Sequence, residues 1–456
     1  MSNRRPLLLL ALVLGCSDKD PVADDPSGTA GTSTGSSGMS GAAAGSGGGA
    51  TAGGGAATGG GGQATGNGGD ATGAGGREPG ASPLTSSGVC GFTAAVTYGA
   101  PGEDGLVEVP PNDPNIFYMG RVDCNPAGPA FAFPAVTVRV RFQGDALDLR
   151  LRDSGTGTAT TTNYYDVSID GATPTRLQMI PGDQVYPLAR DLAAGEHTAE
   201  VVKRVESGGN SGKGQVLGFR VREGSALLPV SPKPLRVEFI GDSITCGYGN
   251  EVSTTTPEMF PFTTINENAN AAYGAVAARL LDAEYVAVAS SGRGVQRNYA
   301  DGGGELAAAF YVDTLPDDAA APPWDFSRYT PDVVVINLGT NDFSPPGPDH
   351  PAYVTAYTNF LTQVRGHYPG ALLLAVVGTM LSDGFPAGVN AWTTNQADVS
   401  GVVAALTAQG DSRVHYLALT PQSAPFGEDY HPTLATHQTM GTAVANEIQR
   451  LLALPE

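Results

Sequence analysis

The feature that most restricts the fold is in the C-terminal half, where segments with the pattern of strands alternate with segments that have the pattern of helices. From Pro234 onward, short apolar runs rich in β-branched residues are separated by longer stretches with helical spacing. The runs are 235–240, 285–289, 333–338, 372–377 and 414–419, and the helical stretches are 271–281, 352–365, 396–408 and 434–452. Strands that alternate with helices form a parallel sheet covered on both faces. We therefore predict a five-stranded parallel sheet in a flavodoxin-like α/β/α domain over 231–456, with functional loops at the carboxyl ends of the strands.

Residues 90–230 follow a different pattern, in which apolar and polar side chains alternate. Gly and Asp turns separate runs of this kind at 136–142, 145–151, 164–169, 199–205 and 216–221. Period-two alternation is typical of antiparallel strands with one buried face. Several such strands at this spacing predict an all-β domain, a β-sandwich or jelly roll, in front of the α/β domain.

The first 89 residues indicate export. Arg4 and Arg5 precede a short apolar run, 6–14, that is too short to span a bilayer as a helix. The run is followed by Gly15-Cys16, which resembles a bacterial lipoprotein cleavage site. We expect 1–15 to be a signal peptide and Cys16 to carry lipid in the cell envelope, with secretion as the alternative if Cys16 is unmodified. Residues 16–89, rich in Gly, Ser, Ala and Thr, predict a flexible linker.

Net charge limits the possible binding partners, and cysteine usage bears on export. The chain has 25 Lys and Arg against 45 Asp and Glu, a formal net charge of -20. Nucleic acid is therefore not an expected partner, because phosphate binding needs a basic face. Cys90 and Cys124 are candidates for a disulfide, which suits an exported protein. Cys246 would then be an unpaired thiol, and we expect a monomer.

Polar motifs follow four of the five predicted strands. They are Gly241-Asp242-Ser243, Ser290-Ser291-Gly292, Gly339-Thr340-Asn341-Asp342 and Glu428-Asp429-Tyr430-His431-Pro432. A serine hydroxyl becomes a good nucleophile when a neighbouring base takes its proton, and His431 could do this for Ser243. The amides of Ser243 and Gly292 and the side chain of Asn341 could hold a tetrahedral oxyanion. This chemistry is acyl transfer, and it requires no metal or organic cofactor.

These motifs resemble known families. Gly-Asp-Ser243-Ile, Ser-Gly292, Gly-Thr-Asn341-Asp and His431-Pro resemble the SGNH hydrolase superfamily, from residue 235 to the end. Segments 120–122, 138–144, 165–171, 192–198 and 203–206 resemble the N-terminal jelly roll of carbohydrate esterase family 2. The resemblance implies a two-domain serine esterase that removes O-acetyl groups from acetylated polysaccharides such as xylan or mannan, including at the sugar 6-position.

The sequence does not decide which group orients the imidazole of His431. Superfamily members usually carry Asp three residues before the His, where this chain has Glu428, and Asp429 lies two before it. Some family members use a Ser–His dyad held by a backbone carbonyl. Glu428 is thus the third catalytic candidate, with Asp429 and a carbonyl as alternatives.

Two aromatic residues are candidates for sugar contact. Tyr430 adjoins His431, and its alternative role is packing at a loop–helix junction. Trp324 could line the cleft, and its alternative is a buried structural tryptophan. Two other functions compete with the esterase: a lipase or arylesterase of small esters, and a surface-tethered glycan-binding protein without activity.

Overall fold

The computed structural model describes residues 84–207, 212–316, 318 and 320–453. The expected signal peptide, Cys16 and the linker as far as residue 83 lie outside these residues. The described residues belong to one compact unit. Within them, no helix combines the length and the apolar character needed to cross a membrane.

The N-terminal part is a sandwich of two antiparallel sheets, as the alternating pattern predicts. Its strands are β1 (Leu106–Val109), β2 (Ile116–Met119), β3 (Ala130–Phe131), β4 (Thr137–Gln143), β5 (Leu147–Asp153), β6 (Tyr164–Ile169), β7 (Thr175–Gln178), β8 (Gly182–Ala189), β9 (Glu196–Lys203), β10 (Gly214–Arg222) and β11 (Leu227–Leu228). One sheet has the order β1-β10-β5-β8 with β3 on β10, and the other has the order β11-β4-β9-β6-β7 with β2 on β4.

Strands β4 and β5 show why the two sheets stack. Val138, Val140 and Phe142 alternate along β4 with half-buried arginines, and all three are buried. The leucines of β5 are buried in the same way in the other sheet. Each sheet therefore presents one apolar face, and the two faces together form the core of the sandwich.

The C-terminal part contains the predicted five-stranded parallel sheet, which is confirmed. Its strands are β12 (Leu235–Gly241), β13 (Ala283–Ala289), β14 (Val333–Asn337), β15 (Leu372–Val377) and β16 (Val414–Ala418), in the order β13-β12-β14-β15-β16. The helices are α1 (Ser243–Cys246), α2 (Tyr273–Leu280), α3 (Ala307–Phe310), α4 (His350–His367), α5 (Ala391–Ala408) and α6 (Leu434–Leu452). After β12 the chain adds β13 on one side of it, and then β14, β15 and β16 on the other side. The carboxyl end of β12 is therefore the switch point, where such folds place their sites.

A buried arginine joins the sandwich to the α/β part. Arg121 is fully buried, donates from Nη1 to the carbonyl of Tyr311 at 3.1 Å, and forms an ion pair with Glu238 at 3.5 Å. Its guanidinium lies over the ring of Trp324, 4.8 Å from the centroid. Trp324 is only 5% exposed. This placement corrects the expectation that Trp324 lines a cleft for sugar: its ring is used for packing against Arg121.

The first cysteine pair is joined. Cys90 and Cys124 form a disulfide with a Cα–Cα distance of 5.2 Å across a sequence separation of 34 residues. It ties the segment before β1 to the loop before β3. Cys246 is a free, buried thiol.

Candidate active site

Ser243 stands at the carboxyl end of β12, as the first residue of α1. Gly241 permits the close turn, because a Cβ there would overlap the hydroxyl of Thr245. Asp242 caps the short helix by accepting a hydrogen bond from the amide of Ile244 at 3.0 Å. The turn therefore holds the Ser243 side chain at the switch point of the sheet, where it is 7% exposed.

The imidazole of His431 contacts the Ser243 hydroxyl. The distance from Nε2 to Oγ is 2.8 Å, and Nδ1 lies 3.1 Å from the backbone carbonyl of Glu428. A carbonyl can only accept, so Nδ1 carries the proton and Nε2 is free to accept from the serine. Burial lowers the pKa of His431 to about 4. The imidazole is therefore neutral near pH 7 and able to act as a base.

The carboxylate of Glu428 points away from His431. It accepts hydrogen bonds from the Thr263 amide at 3.0 Å, the Thr263 hydroxyl at 2.8 Å and the Asn266 side-chain amide at 2.6 Å. The carboxylate of Asp429 accepts from the Tyr248 hydroxyl at 2.7 Å. The expectation that the Glu428 side chain orients His431 is thus corrected: its backbone carbonyl takes that position.

Tyr248 is a site residue that the sequence did not indicate. Its ring stacks on the imidazole of His431, with centroids 4.0 Å apart and an angle of 24° between the planes. Phe262 packs against Tyr248 at 4.4 Å. The stack restricts rotation of the imidazole about its side-chain bonds. Tyr248 has no regular spacing to any motif, so no sequence signal would have found it.

The backbone before His431 adopts an uncommon conformation. Asp429 and Tyr430 both have positive φ, 46° and 66°, in the left-handed region. Consecutive non-glycine residues in this region store strain, which is typical of functional sites. The Tyr430 hydroxyl donates to Glu258 at 3.2 Å, and its ring lies 5.7 Å from that of Phe426. Tyr430 is half-buried at the edge of the site, so one part of its ring is accessible.

Two backbone amides are available for an oxyanion. Gly292 follows β13 in a turn with a φ of 76°, and the turn is tied to β12 by a bond from the Ser290 amide to the Gly241 carbonyl at 3.3 Å. Within the described ranges, the amides of Ser243 and Gly292 have no hydrogen-bond acceptor from the protein. Both N–H groups can therefore donate to a ligand.

The third expected donor, Asn341, is already engaged. Its Nδ2 donates to Asp242 Oδ2 at 3.1 Å and to the carbonyl of Arg293 at 2.8 Å. Burial raises the pKa of Asp242 to about 7. An oxyanion would have to share or replace one of these two contacts, whereas the backbone amides need no such exchange.

Asp342 braces the neighbouring loop. Its carboxylate accepts hydrogen bonds from three successive amides, those of Val295, Gln296 and Arg297. These bonds fix the loop whose Arg293 carbonyl contacts Asn341. The role of Asp342 is thus to hold the loop rather than to act on a substrate.

Three buried residues near one another have side chains that could hold a metal ion. The ligand atoms of Glu206, Cys246 and Glu267 lie within 4.8 Å of one another. The ammonium of Lys203 is buried beside them, and burial lowers its pKa to about 8 against the attraction of these acidic groups. Glu206 already accepts two hydrogen bonds from Ser291. We interpret the group as a hydrogen-bonded network that contains its own cation.

In comparisons with known proteins, a separate family model matches each of the two structural parts of the chain. Residues 118–231 match the family described as "Carbohydrate esterase 2 N-terminal", and residues 239–439 match the "GDSL-like Lipase/Acylhydrolase family". Cellulase/esterase CelE of Acetivibrio thermocellus is 37% identical over 350 residues, which cover 75% of this chain. The chain spans only 40% of the length of that larger protein.

This chain covers a larger share of the length of two further relatives. An "Acetylxylan esterase / glucomannan deacetylase" of Cellvibrio japonicus is 31% identical over 58% of this chain and 69% of its own. The solved structure of a family two carbohydrate esterase from Clostridium thermocellum in complex with cellohexaose is 36% identical, with a TM-score of 0.67, over 74% of this chain and 99% of that one. With both of its parts matched, the chain belongs to carbohydrate esterase family 2, whose catalytic part is an SGNH hydrolase.

Proposed function

We propose that this protein is a carbohydrate acetyl esterase that removes O-acetyl groups from polysaccharides such as xylan, mannan or glucomannan. The observation that carries the proposal is the 2.8 Å contact between Ser243 Oγ and His431 Nε2 at the switch point of the sheet. The names of the relatives, which include acetylxylan esterase and glucomannan deacetylase, support acetylated glycans as the substrate class.

The reaction proceeds by acyl transfer in two steps. Ser243 Oγ attacks the acetyl carbonyl carbon while His431 Nε2 accepts the hydroxyl proton. The carbonyl oxygen becomes an oxyanion, held by the amides of Ser243 and Gly292 and by Asn341. The ester C–O bond then breaks, and His431 returns the proton to the sugar oxygen. Water repeats the attack on the acetyl-serine, which releases acetate and restores the serine.

The carbonyl of Glu428 does the work of the third catalytic member. It accepts the Nδ1 proton at 3.1 Å and so fixes the tautomer that leaves Nε2 basic. When His431 becomes an imidazolium, the carbonyl dipole faces the new positive charge. A neutral acceptor stabilises that charge less than a carboxylate would, so positioning is its larger contribution.

Tyr430 is the proposed sugar contact. It adjoins His431 in the chain, is half-buried, and lies beside Phe426 at the edge of the site. An aromatic ring in this position suits the C–H face of a sugar. Deacetylation at the sugar 6-position is the regiochemistry that the family resemblance implies.

We also propose an exported, monomeric protein of four segments: 1–15 as signal peptide, 16–89 as linker, 90–230 as β-domain and 231–456 as catalytic domain. Arg4, Arg5 and the Gly15-Cys16 pair support processing as a lipoprotein with lipid on Cys16. Metabolic labelling with a radioactive fatty acid tests this step. Label should enter the wild type and be absent from the Cys16→Ala variant, and equal labelling of both would refute the anchor.

Acetate release tests the function. Acetylated xylan and acetylated glucomannan are incubated with the wild type, Ser243→Ala and Ser400→Ala, the last being a matched control on the remote helix α5. The wild type and the control should release acetate and Ser243→Ala should not. Release by Ser243→Ala at the wild-type rate would refute the proposal. Binding to the glycans without release would favour a binding protein, and preference for long-chain nitrophenyl esters over acetate would favour a lipase.

A further inference from the structure

The sandwich contributes one buried carboxylate to the turn that carries Gly292. Glu206 follows β9 and is 5% exposed. Its Oε2 accepts a hydrogen bond from the Ser291 amide at 2.7 Å, and its Oε1 accepts one from the Ser291 hydroxyl. A single carboxylate therefore fixes both the backbone and the side chain of Ser291 from the other domain.

This contact bears directly on the oxyanion donor. The peptide unit between Ser291 and Gly292 contains the Gly292 N–H, so its direction depends on the backbone of Ser291. Gly292 itself adds little restraint, because a Cβ built there would meet only Tyr299, at 3.9 Å. Glycine samples more backbone conformations than any other residue. The restraint on this N–H must therefore come from its neighbours.

Glu206 is in turn held by its surroundings. Its own amide donates to Glu267 Oε1 at 3.3 Å, and the thiol sulfur of Cys246 lies within 4.8 Å of its carboxylate. Cys246 is the last residue of α1, the helix that begins with Ser243. The carboxylate is thus linked both to the turn of Gly292 and to the helix of the nucleophile.

We propose that Glu206 is a positioning residue for acyl transfer, which directs the Gly292 N–H at the oxyanion through Ser291. This inference rests on the proposed esterase function. The competing interpretation is that Glu206 only joins the two domains. The two interpretations differ in whether loss of the carboxylate changes the chemical step or only the stability.

Glu284 provides a matched control. It is also a buried carboxylate contacted from the sandwich, by Arg139 Nη1 at 3.1 Å, but it lies at the opposite end of β13 from the turn of Gly292. Kinetics with 4-nitrophenyl acetate and thermal unfolding are measured for Glu206→Met and Glu284→Met, because methionine has nearly the length of glutamate and neither of its oxygens, whereas a glutamine could keep both contacts with Ser291. Removing an oxyanion donor lowers kcat by about 10²–10³. We expect misdirection of one to lower kcat by about 10-fold to 100-fold with KM nearly unchanged.

Glu284→Met should keep kcat near the wild-type value although its Tm falls. A folded Glu206→Met protein with wild-type kcat would overturn the inference, as would equal losses in the two variants. If Ser243→Ala abolishes activity in the same assay, such a result leaves the proposed function standing. An inactive wild type would overturn both.

A double-mutant cycle shows whether Glu206 acts through Ser291. Ser291→Ala removes one of the two hydrogen bonds, so kcat should fall less than in Glu206→Met. In the Glu206→Met background, the same substitution should have almost no further effect, because the hydrogen bond that it removes is already absent. Additive losses would overturn the inference. If Glu206→Met does not fold, Ser291→Ala alone decides it: kcat must fall at unchanged KM, and an unchanged kcat refutes the role.

Discussion

The variant Glu428→Gln distinguishes a histidine that is oriented by a backbone carbonyl from one that is oriented by a carboxylate. The substitution replaces the carboxylate with an amide of nearly the same size and leaves the backbone carbonyl in place. In a Ser–His–Asp site, the corresponding change to an amide lowers kcat by about 10⁴. Because His431 Nδ1 contacts the carbonyl of Glu428 and not its side chain, we expect kcat to fall by less than about 10-fold.

The stability of this variant should fall instead. The carboxylate accepts three hydrogen bonds, two from Thr263 and one from Asn266. Two of these bonds end on Oε1 and one on Oε2, so a glutamine whose oxygen takes the Oε1 position keeps two bonds and sets its amide nitrogen against the Thr263 N–H. A buried donor left unpaired costs about 1–3 kcal/mol, so the free energy of unfolding should fall by about that amount. Urea unfolding measures this loss independently of activity.

The assay compares kcat for 4-nitrophenyl acetate in Glu428→Gln and in Asp429→Asn, both below their unfolding temperatures. Asp429→Asn is the control for the other nearby carboxylate, which binds the Tyr248 hydroxyl. A fall of 10³ or more in folded Glu428→Gln would refute the carbonyl assignment. The same fall in Asp429→Asn would assign the role to that side chain.

Three further predictions concern the site. Because only neutral His431 is a base and burial lowers its pKa to about 4, kcat/KM should hold constant down to about pH 5 and fall below it; a half-maximum near 6.5 in the pH–rate profile would contradict this. Tyr248→Ala removes the ring stacked on the imidazole and should lower kcat about 10-fold, whereas Tyr248→Phe should retain most of it; equal kinetics for the two variants would exclude the stack as the cause. Asp242→Asn preserves the helix cap but sets an amide nitrogen against Asn341 Nδ2, so kcat should fall about 10-fold to 100-fold at nearly constant Tm; a change in Tm alone would contradict the coupling.

The parallel sheet was predictable because its strands are buried on both faces and therefore read as continuous apolar runs. The run at 333–338 corresponds to Val333–Asn337, and the run at 372–377 to Leu372–Val377. The shared edge of a parallel sheet also explains why separate motifs could be grouped: Ser243 and His431 are far apart in the chain and 2.8 Å apart in space.

Side-chain direction was not predictable from spacing. The interval between Glu428 and His431 indicates that a carboxylate is near the histidine, but the left-handed residues between them decide which group faces the ring. Tyr248 and Glu206 act through contacts remote in sequence, so no local pattern marks them. Trp324 was ambiguous for a similar reason, since a buried cation beneath an aromatic ring leaves no periodic signal.

Trapping the covalent intermediate shows directly whether Ser243 is the nucleophile. The enzyme is mixed with 4-nitrophenyl acetate, quenched in acid during turnover, digested and analysed by mass spectrometry. We expect one acetyl group on the peptide that contains Ser243, and none on that peptide from Ser243→Ala. Acetyl on a different residue, or turnover in Ser243→Ala at the wild-type rate, would contradict it.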